Sequence, residues 1–116
     1  NETAFAENGR DTERIRRIME YIQAHYAEKI TLEELAEQIH LCRSESCRLF
    51  KRYMKESMFD YLLDYRIERS LELLRRPELD VTQIAGQTGF TSPGYFSKIF
   101  KRKMGCTPLE YRKNHR

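Results

Sequence analysis

The sequence contains one helical pattern twice, fifty residues apart. The first copy reads CRSESCRLFKRYM over 42–54, and the second reads SPGYFSKIFKRKM over 92–104. Shifting the sequence by fifty aligns apolar with apolar and basic with basic residues in the same order. The aligned pairs are Arg48 and Lys98, Leu49 and Ile99, Phe50 and Phe100, Lys51 and Lys101, Arg52 and Arg102, and Met54 and Met104. So many ordered agreements indicate a structural repeat, so the fold must contain two similar units.

Two helices are predicted before the first copy. The first begins near Asp11 or Thr12, and its apolar residues share one face: Ile15, Ile18, Met19, Ile22 and Tyr26. The second begins at a capping box formed by Thr31 and Glu34. A short turn then leads into the first copy, which is the order of a helix-turn-helix. Residues 1–10 lack helical spacing and contain Asn8-Gly9, which predicts a linker or disordered end.

The second half repeats this plan. Asp80 and Gln83 have capping-box spacing, and Ser92-Pro93 is a strong helix start because Ser caps and Pro fixes φ. The offset between the halves changes from 49 to 50 near Thr91, and Gly89 suits a turn that requires a positive φ. A last helix is predicted from Thr107-Pro108.

A long helical pattern joins the two copies, from Met58 to about Arg75, and Pro77 ends it. About 18 residues at 1.5 Å each give a rod of roughly 27 Å. The sequence thus predicts an all-α fold of seven helices, in which two homeodomain-like three-helix units are joined by a long linker helix. The predicted segments are a linker or disordered end (1–10), a first helix-turn-helix subdomain (11–56), a linker helix (57–76) and a second helix-turn-helix subdomain (77–116).

Charge is distributed unevenly along the chain. Residues 1–80 contain 14 basic and 17 acidic side chains, whereas residues 81–116 contain 7 basic and 1 acidic. A basic half indicates a polyanionic partner, and the simpler alternative is a solvated surface. Because no apolar run approaches the ~20 residues of a membrane span and no signal peptide is evident, we expect a soluble, cytoplasmic protein. The chain starts at Asn1 without a Met, so we expect it to be part of a longer protein.

A helix that reads DNA needs an apolar face to hold it and a polar face that enters the major groove. Leu49 and Phe50 are the predicted anchors of the first copy, and Phe96, Ile99 and Phe100 those of the second. The residues predicted to read bases are Arg43, Ser44, Cys47 and Arg48 in the first helix and Gly94, Tyr95 and Lys98 in the second. Those predicted to contact phosphates are Lys51, Arg52, Lys101 and Arg102.

The spacing of the two copies suggests how DNA is bound. Successive major grooves on one side of B-DNA lie about 34 Å apart. A rod of roughly 27 Å, together with the thickness of the flanking units, spans that separation. We therefore expect one chain to place its two helices, about 43–54 and 93–104, in adjacent major grooves.

The segment 89–112, GFTSPGYFSKIFKRKMGCTPLEYR, resembles the signature of the AraC/XylS family of bacterial transcription regulators. The resemblance covers about residues 12–115. It implies a DNA-binding module of two helix-turn-helix subdomains, usually attached to an effector-sensing or dimerisation domain. It also implies promoter binding near RNA polymerase, most often with activation of transcription. The groove-facing residues that it implies are Ser44, Cys47, Arg48, Gly94, Tyr95 and Lys98.

Three residues depart from the family pattern. Ser46 stands where the second copy has Phe96, Cys42 replaces the usual Ser or Thr cap, and Gly94 offers no side chain to a base. These differences suggest that the two helices divide the task. Arg48, which can bond two acceptors on a guanine, would specify sequence, and the basic second unit would hold phosphates.

The three cysteines allow a second interpretation. Cys42, Cys47 and Cys106 form no Cys-x-x-Cys pair. One interpretation is a redox-sensing thiol on the DNA face, helped by His40. The other is that the cysteines are ordinary small, half-buried residues. A zinc site would need four ligands, and His40, Cys42 and Cys47 supply only three, so we expect no metal site. No catalytic or phosphate-binding glycine motif appears, so we expect no enzyme activity and no cofactor. The alternatives are a helical protein-interaction module with a basic face and a thiol- or redox-responsive DNA-binding sensor.

Overall fold

The computed structural model describes the backbone of residues 2–115 and the side chains of residues 9–115. This part of the chain folds into seven α-helices and contains no strand. The helices are α1 (Glu2–His25), α2 (Leu32–Glu37), α3 (Arg43–Met54), α4 (Met58–Leu74), α5 (Val81–Gln87), α6 (Pro93–Met104) and α7 (Pro108–Asn114). The all-α fold of seven helices is confirmed, and α3 and α6 have the bounds that the repeat predicts.

The helices form two compact units. The first contains the residues up to His25 together with Ile30–Tyr61, and the second contains Tyr26–Lys29 and the residues from Leu62 onward. The predicted segments place α4 in a linker of its own, whereas in the structure most of α4 belongs to the second unit. Packing explains the difference, because Leu63 and Ile67 of α4 are part of the apolar core of that unit.

Helix α1 starts earlier than the sequence predicts. It begins at Glu2, so residues 2–10 are helical where a linker or disordered end is predicted. Gly9 does not stop the helix, because one interior glycine costs only about 1 kcal/mol relative to alanine. The amphipathic turns that follow have already met the cost of helix nucleation, so extension toward the N-terminus adds one hydrogen bond per residue. In those turns Ile15, Ile18 and Ile22 are buried as predicted.

The two capping boxes predicted for the short helices have different outcomes. Asp80 and Gln83 form both bonds of the box at the start of α5, as predicted. At α2, Thr31 Oγ1 accepts from the amide of Glu34 at 3.1 Å. The Glu34 carboxylate, which the box would turn back to Thr31, instead accepts from Tyr21 Oη at 3.2 Å. The contact with Tyr21 of α1 thus replaces the bond that Glu34 would make to the amide of Thr31.

The turns around α3 and α6 repeat the same backbone conformation with different residues. Gly89 has φ +89°, which confirms the predicted positive φ, and His40 has φ +56° at the corresponding place in the first unit. The helices then end at Lys55 with φ +62° and at Gly105 with φ +79°. Only glycine adopts this region without strain. The first unit therefore holds two ordinary side chains in a conformation that the second unit assigns to glycine.

Helix α3 is anchored by less apolar volume than α6. Phe96, Ile99 and Phe100 of α6 are buried, whereas the buried residues of α3 are Ser46 and Phe50. Ser46 occupies the place of Phe96, as the repeat predicts. Its hydroxyl oxygen is buried and has no hydrogen-bond partner within the described part of the chain.

We expect Ser46→Ala to raise the free energy of unfolding by about 1 to 2 kcal/mol, because a buried hydroxyl without a partner costs about 1 to 3 kcal/mol and alanine favours the helix. Urea denaturation followed by circular dichroism at 222 nm measures the change. Ser97→Ala, at a half-buried position of α6, is the matched control and should change stability by less than about 0.5 kcal/mol. Destabilisation by Ser46→Ala would show that the hydroxyl has a partner.

Candidate nucleic-acid interface

Helix α3 presents a polar face along most of its length. It begins after Cys42, whose side chain makes no bond to the helix, unlike that of Ser92 at the start of α6. Cys47 is half-buried, and Phe50 holds the opposite face in the core. The exposed polar residues of α3 that were predicted to meet DNA are Arg43, Ser44, Arg48, Lys51 and Arg52. Because residues three or four apart share a face of a helix, Ser44, Cys47, Arg48 and Lys51 follow one stripe.

Arg43 already has an acidic neighbour. Its Nη1 lies 3.2 Å from Glu33 Oε1, and the two side chains are 59% and 60% exposed. An ion pair this exposed contributes at most about 1 kcal/mol. Arg43 is therefore held beside α2 by a weak bond that an acceptor on another molecule can replace.

Helix α6 presents a basic face and is more firmly held. Ser92 Oγ accepts from the amide of Tyr95 at 3.1 Å, which confirms the predicted cap. The Tyr95 ring is half-buried and meets Phe90 edge-on, with ring centroids 5.9 Å apart. Tyr95 is thus partly an anchor as well as a predicted base contact. The other predicted contact residues of this helix are exposed: Gly94, Lys98, Lys101 and Arg102.

One lysine of α6 is diverted from the exposed basic face. Lys103 Nζ lies 2.5 Å from Asp64 Oδ1 of α4, and the lysine side chain is only 19% exposed. This ion pair ties α6 to α4 inside the second unit. Lys98, Lys101 and Arg102 therefore carry the accessible charge of the helix.

The single acidic residue among residues 81–116, Glu110, serves to cap α7. The amide of Thr107 donates to the Glu110 carboxylate at 2.9 Å. This bond lowers the pKa of Glu110, with smaller contributions from the Thr107 side chain and from Lys101. Glu110 therefore stays ionised in its cap at neutral pH, and its single negative charge still leaves residues 81–116, with 7 basic side chains, positively charged.

The cysteines lie apart from any arrangement that would hold a metal. Cys42 is exposed, whereas Cys47 and Cys106 are half-buried, and all three are free thiols. Among the side chains of residues 9–115, no group of three His, Cys, Asp or Glu is close enough to bind a metal ion. None of the helices that the structure describes is both long and apolar enough to cross a membrane.

A cleft of about 410 Å³ opens between α1 and α3 in the first unit. We call it the α1–α3 cleft, and its lining residues are Arg14, Leu41, Glu45, Arg48, Leu49 and Arg52. Arg14 is not among the residues that the sequence predicts to contact DNA. Helical periodicity could not reveal it, because the cleft forms only when α1 packs beside α3.

Similar proteins include transcriptional regulators. Residues 35–114 match the helix-turn-helix domain family. The uncharacterized HTH-type transcriptional regulator YdeC of Bacillus subtilis is 46% identical over 100 residues, which are 86% of this chain and 34% of that protein. The Msm operon regulatory protein of Streptococcus mutans is 29% identical over 99 residues, covering 85% of this chain and 36% of that protein. The chain thus spans about a third of the length of these curated relatives.

Solved structures of the same fold include DNA-binding domains. The C-terminal domain of AraT, a response regulator from Geobacillus stearothermophilus, is 34% identical with a TM-score of 0.82, covering 87% of this chain and 84% of that one. The DNA-binding domain of AdpA, in complex with a target DNA, is 25% identical with a TM-score of 0.82, covering 88% and 92%. Since the family match extends over most of the chain, this protein belongs to the AraC-type helix-turn-helix family of transcriptional regulators, a family of DNA-binding proteins and not of enzymes.

Proposed function

We propose that the chain is the sequence-specific DNA-binding domain of an AraC-like bacterial transcription regulator and inserts α3 and α6 into the major groove. One observation carries the proposal. Both helices have 12 residues, and both bury a phenylalanine at the same position while exposing basic residues at corresponding positions. A helix held by one face and polar on the other is the element that reads a major groove.

We propose further that the two helices occupy adjacent major grooves. Support comes from the repeat, because one chain carries two 12-residue helices of the kind that enters a major groove. Hydroxyl-radical footprinting tests the proposal. Two protected tracts one helical turn apart on the same side of the duplex are expected, and a single tract would exclude it.

The two units divide the task in this proposal. Arg48 reads a guanine, with Arg43, Ser44 and Cys47 beside it on α3. In the second unit Gly94 contributes no side chain, so Tyr95 and Lys98 supply its base contacts. Phosphates are held by the basic residues near the C-terminal ends of the two helices: Lys51, Arg52, Lys101 and Arg102.

Arg48→Ala and Lys101→Ala should therefore weaken DNA binding in different ways. Arg48→Ala should cost about 1 to 3 kcal/mol on a preferred duplex and relax base preference at one position. Lys101→Ala should weaken preferred and unrelated duplexes equally and reduce the slope of log affinity against log salt by about 1. Fluorescence anisotropy with a duplex obtained by in vitro selection, at two salt concentrations, measures both effects. Unchanged affinity in both variants would rule out these roles.

For the whole protein we propose a bacterial regulator that works in the cytoplasm, where the chromosome lies. The longer relatives are transcriptional regulators, and resemblance to their family supports promoter binding near RNA polymerase, more often to activate than to repress. It also supports an effector-sensing or dimerisation domain beside the residues described above. The direction of regulation is tested with a reporter gene whose promoter contains the selected sequence. Its expression is compared in cells with and without the protein.

A further inference from the structure

The α1–α3 cleft is lined by more positive than negative charge. Arg14, Arg48 and Arg52 face it with one carboxylate, Glu45, and a second carboxylate, Asp11, contacts Arg14. Three cations against two anions leave an excess positive charge within one cleft. The remaining lining residues, Leu41 and Leu49, are apolar. This lining suits an anionic group that is covalently joined to a less polar one, as a phosphate is joined to deoxyribose.

Arg14 is held on the side of α1 that faces α3. Tyr53 of α3 donates from Oη to Asp11 Oδ2 at 2.9 Å, and Arg14 Nη1 donates to Asp11 Oδ1 at 3.4 Å. The Arg14 side chain is 29% exposed, so its stem is packed while its head reaches solvent. A guanidinium has five N–H donors, and the long bond to Asp11 occupies one of them. Arg14 is therefore restrained in position and retains donors for a second acceptor.

The position of the cleft beside α3 points to the DNA backbone as its occupant. A helix with its side chains is about 10 to 12 Å wide, and the major groove is about 12 Å wide. A helix lying in that groove therefore has a sugar-phosphate strand along each flank. The cleft forms the flank of α3 that faces α1, and two of its three arginines lie on α3 itself. A backbone strand on that flank would meet Arg52 and Arg14 together.

We propose that the α1–α3 cleft binds a phosphate of the DNA backbone and that Arg14 is a DNA contact outside the recognition helices. The inference rests on the proposed function, because it takes α3 to lie in the major groove. It extends the DNA-binding surface of the first unit from α3 to α1. It also supplies this unit, which lies in the acidic part of the sequence, with a phosphate contact that the repeat does not contain.

The first test is Arg14→Gln, measured by fluorescence anisotropy on the selected duplex and on an unrelated duplex of equal length at four KCl concentrations. The slope of log affinity against log salt should decrease by about 1 on both duplexes, with the ratio of their affinities unchanged. Arg16→Gln is the matched control, since Arg16 lies on α1, is 58% exposed and pairs with Glu13 and Glu20. It should leave both slopes unchanged. Arg14→Lys retains the charge and should restore the slope.

A second test locates the phosphate. A series of selected duplexes, each with one phosphate replaced by an uncharged methylphosphonate, is titrated with the wild-type chain and with Arg14→Gln. One replacement should weaken the wild-type chain but cause no further loss in the variant, because the variant has already lost that contact. Thermal melting of both chains by circular dichroism shows whether the variant is folded at the assay temperature. If Arg14→Gln is unfolded, Arg14→Lys is titrated with the same methylphosphonate duplexes, and the replacement that weakens the wild-type chain should weaken this variant too.

The results separate this inference from the function on which it rests. If the wild-type chain shows no salt-dependent binding of duplex DNA, the proposed function fails and the inference with it. If the wild-type chain binds and Arg14→Gln has the same slope and the same methylphosphonate pattern, only the inference is overturned. One further result would overturn the inference. If inorganic phosphate shifts NMR signals of α1 and α3 in the wild-type chain but not in Arg14→Gln, while DNA binding by the variant is unchanged, the cleft is a site for a free anion.

Discussion

Gly89→Ala is expected to lower the free energy of unfolding by about 3 to 5 kcal/mol, the sum of a strained backbone, a steric clash and a lost hydrogen bond. Gly89 has φ +89°, and a Cβ added there would lie 2.3 Å from the carbonyl oxygen of Tyr26 and 2.8 Å from Nε of Arg66. The nearer atom belongs to the backbone and cannot rotate away. The farther one donates to that same carbonyl, so the methyl group would also break the bond between Arg66 and Tyr26.

Two other glycines separate these contributions. Gly105 has φ +79° and open space around its Cβ position, so Gly105→Ala should cost only about 1 to 2 kcal/mol, for the backbone alone. Gly86 lies inside α5 and also has open space, so Gly86→Ala should stabilise the chain by about 0.5 to 1 kcal/mol. Urea denaturation at 222 nm gives all three values. Equal losses for Gly89→Ala and Gly105→Ala would show that the contact with Tyr26 is relieved by movement of the chain.

Arg66→Met is expected to lower the free energy of unfolding by about 2 to 4 kcal/mol, because it removes two charge-assisted hydrogen bonds from a buried place. Arg66 is 7% exposed, and Nε and Nη2 donate to the carbonyl oxygens of Tyr26 at 2.8 Å and of Glu28 at 2.9 Å. Burial lowers the pKa of its guanidinium, but arginine stays protonated at neutral pH. Methionine fills much of the same space and leaves the Tyr26 carbonyl without this donor.

The fork shape of the guanidinium should matter as well as its charge. Arg66→Lys keeps the charge but not the two parallel donors, so its loss should fall between zero and that of Arg66→Met. Arg69→Met, on the exposed side of α4, is the matched control and should change stability by less than about 0.5 kcal/mol. Combining Arg66→Met with Gly89→Ala should cost less than the two losses added, since both break the bond to Tyr26. Strict additivity would contradict the shared contact.

The elements that sequence predicted well are those bounded by local signals. The bounds of α6 follow from Ser92 and Pro93 at its start and Gly105 at its end, and the repeat carries the same bounds to α3. The start of α1 has no such signal, and the helix continues through Gly9 because the turns after it provide the nucleus. The left-handed conformation of His40 could not be predicted either, because histidine does not indicate a positive φ as glycine does. Propensity reports what a residue prefers, whereas tertiary packing decides what it adopts.

The candidate site shows the same division between local and long-range information. The exposed polar stripe of α3, with Arg48 in the middle, follows from residues that are close in sequence and share one face of a helix. The removal of Lys103 from the basic face depends on Asp64, which lies on another helix. The place of Arg14 in the α1–α3 cleft depends on α1 packing beside α3. Neither contact can be predicted from a single sequence, because each joins two segments that lie far apart along the chain.

The pair His40 and Gly89 has a consequence for how this protein can evolve. At position 89 a Cβ atom would clash with the carbonyl oxygen of Tyr26, so we expect substitutions there to be destabilising. At 40 the same left-handed turn already carries an exposed imidazole. Mutational drift should therefore accept several residue types at position 40 and retain glycine at position 89. The two turns thus differ in how much sequence change they tolerate, although both residues have a positive φ.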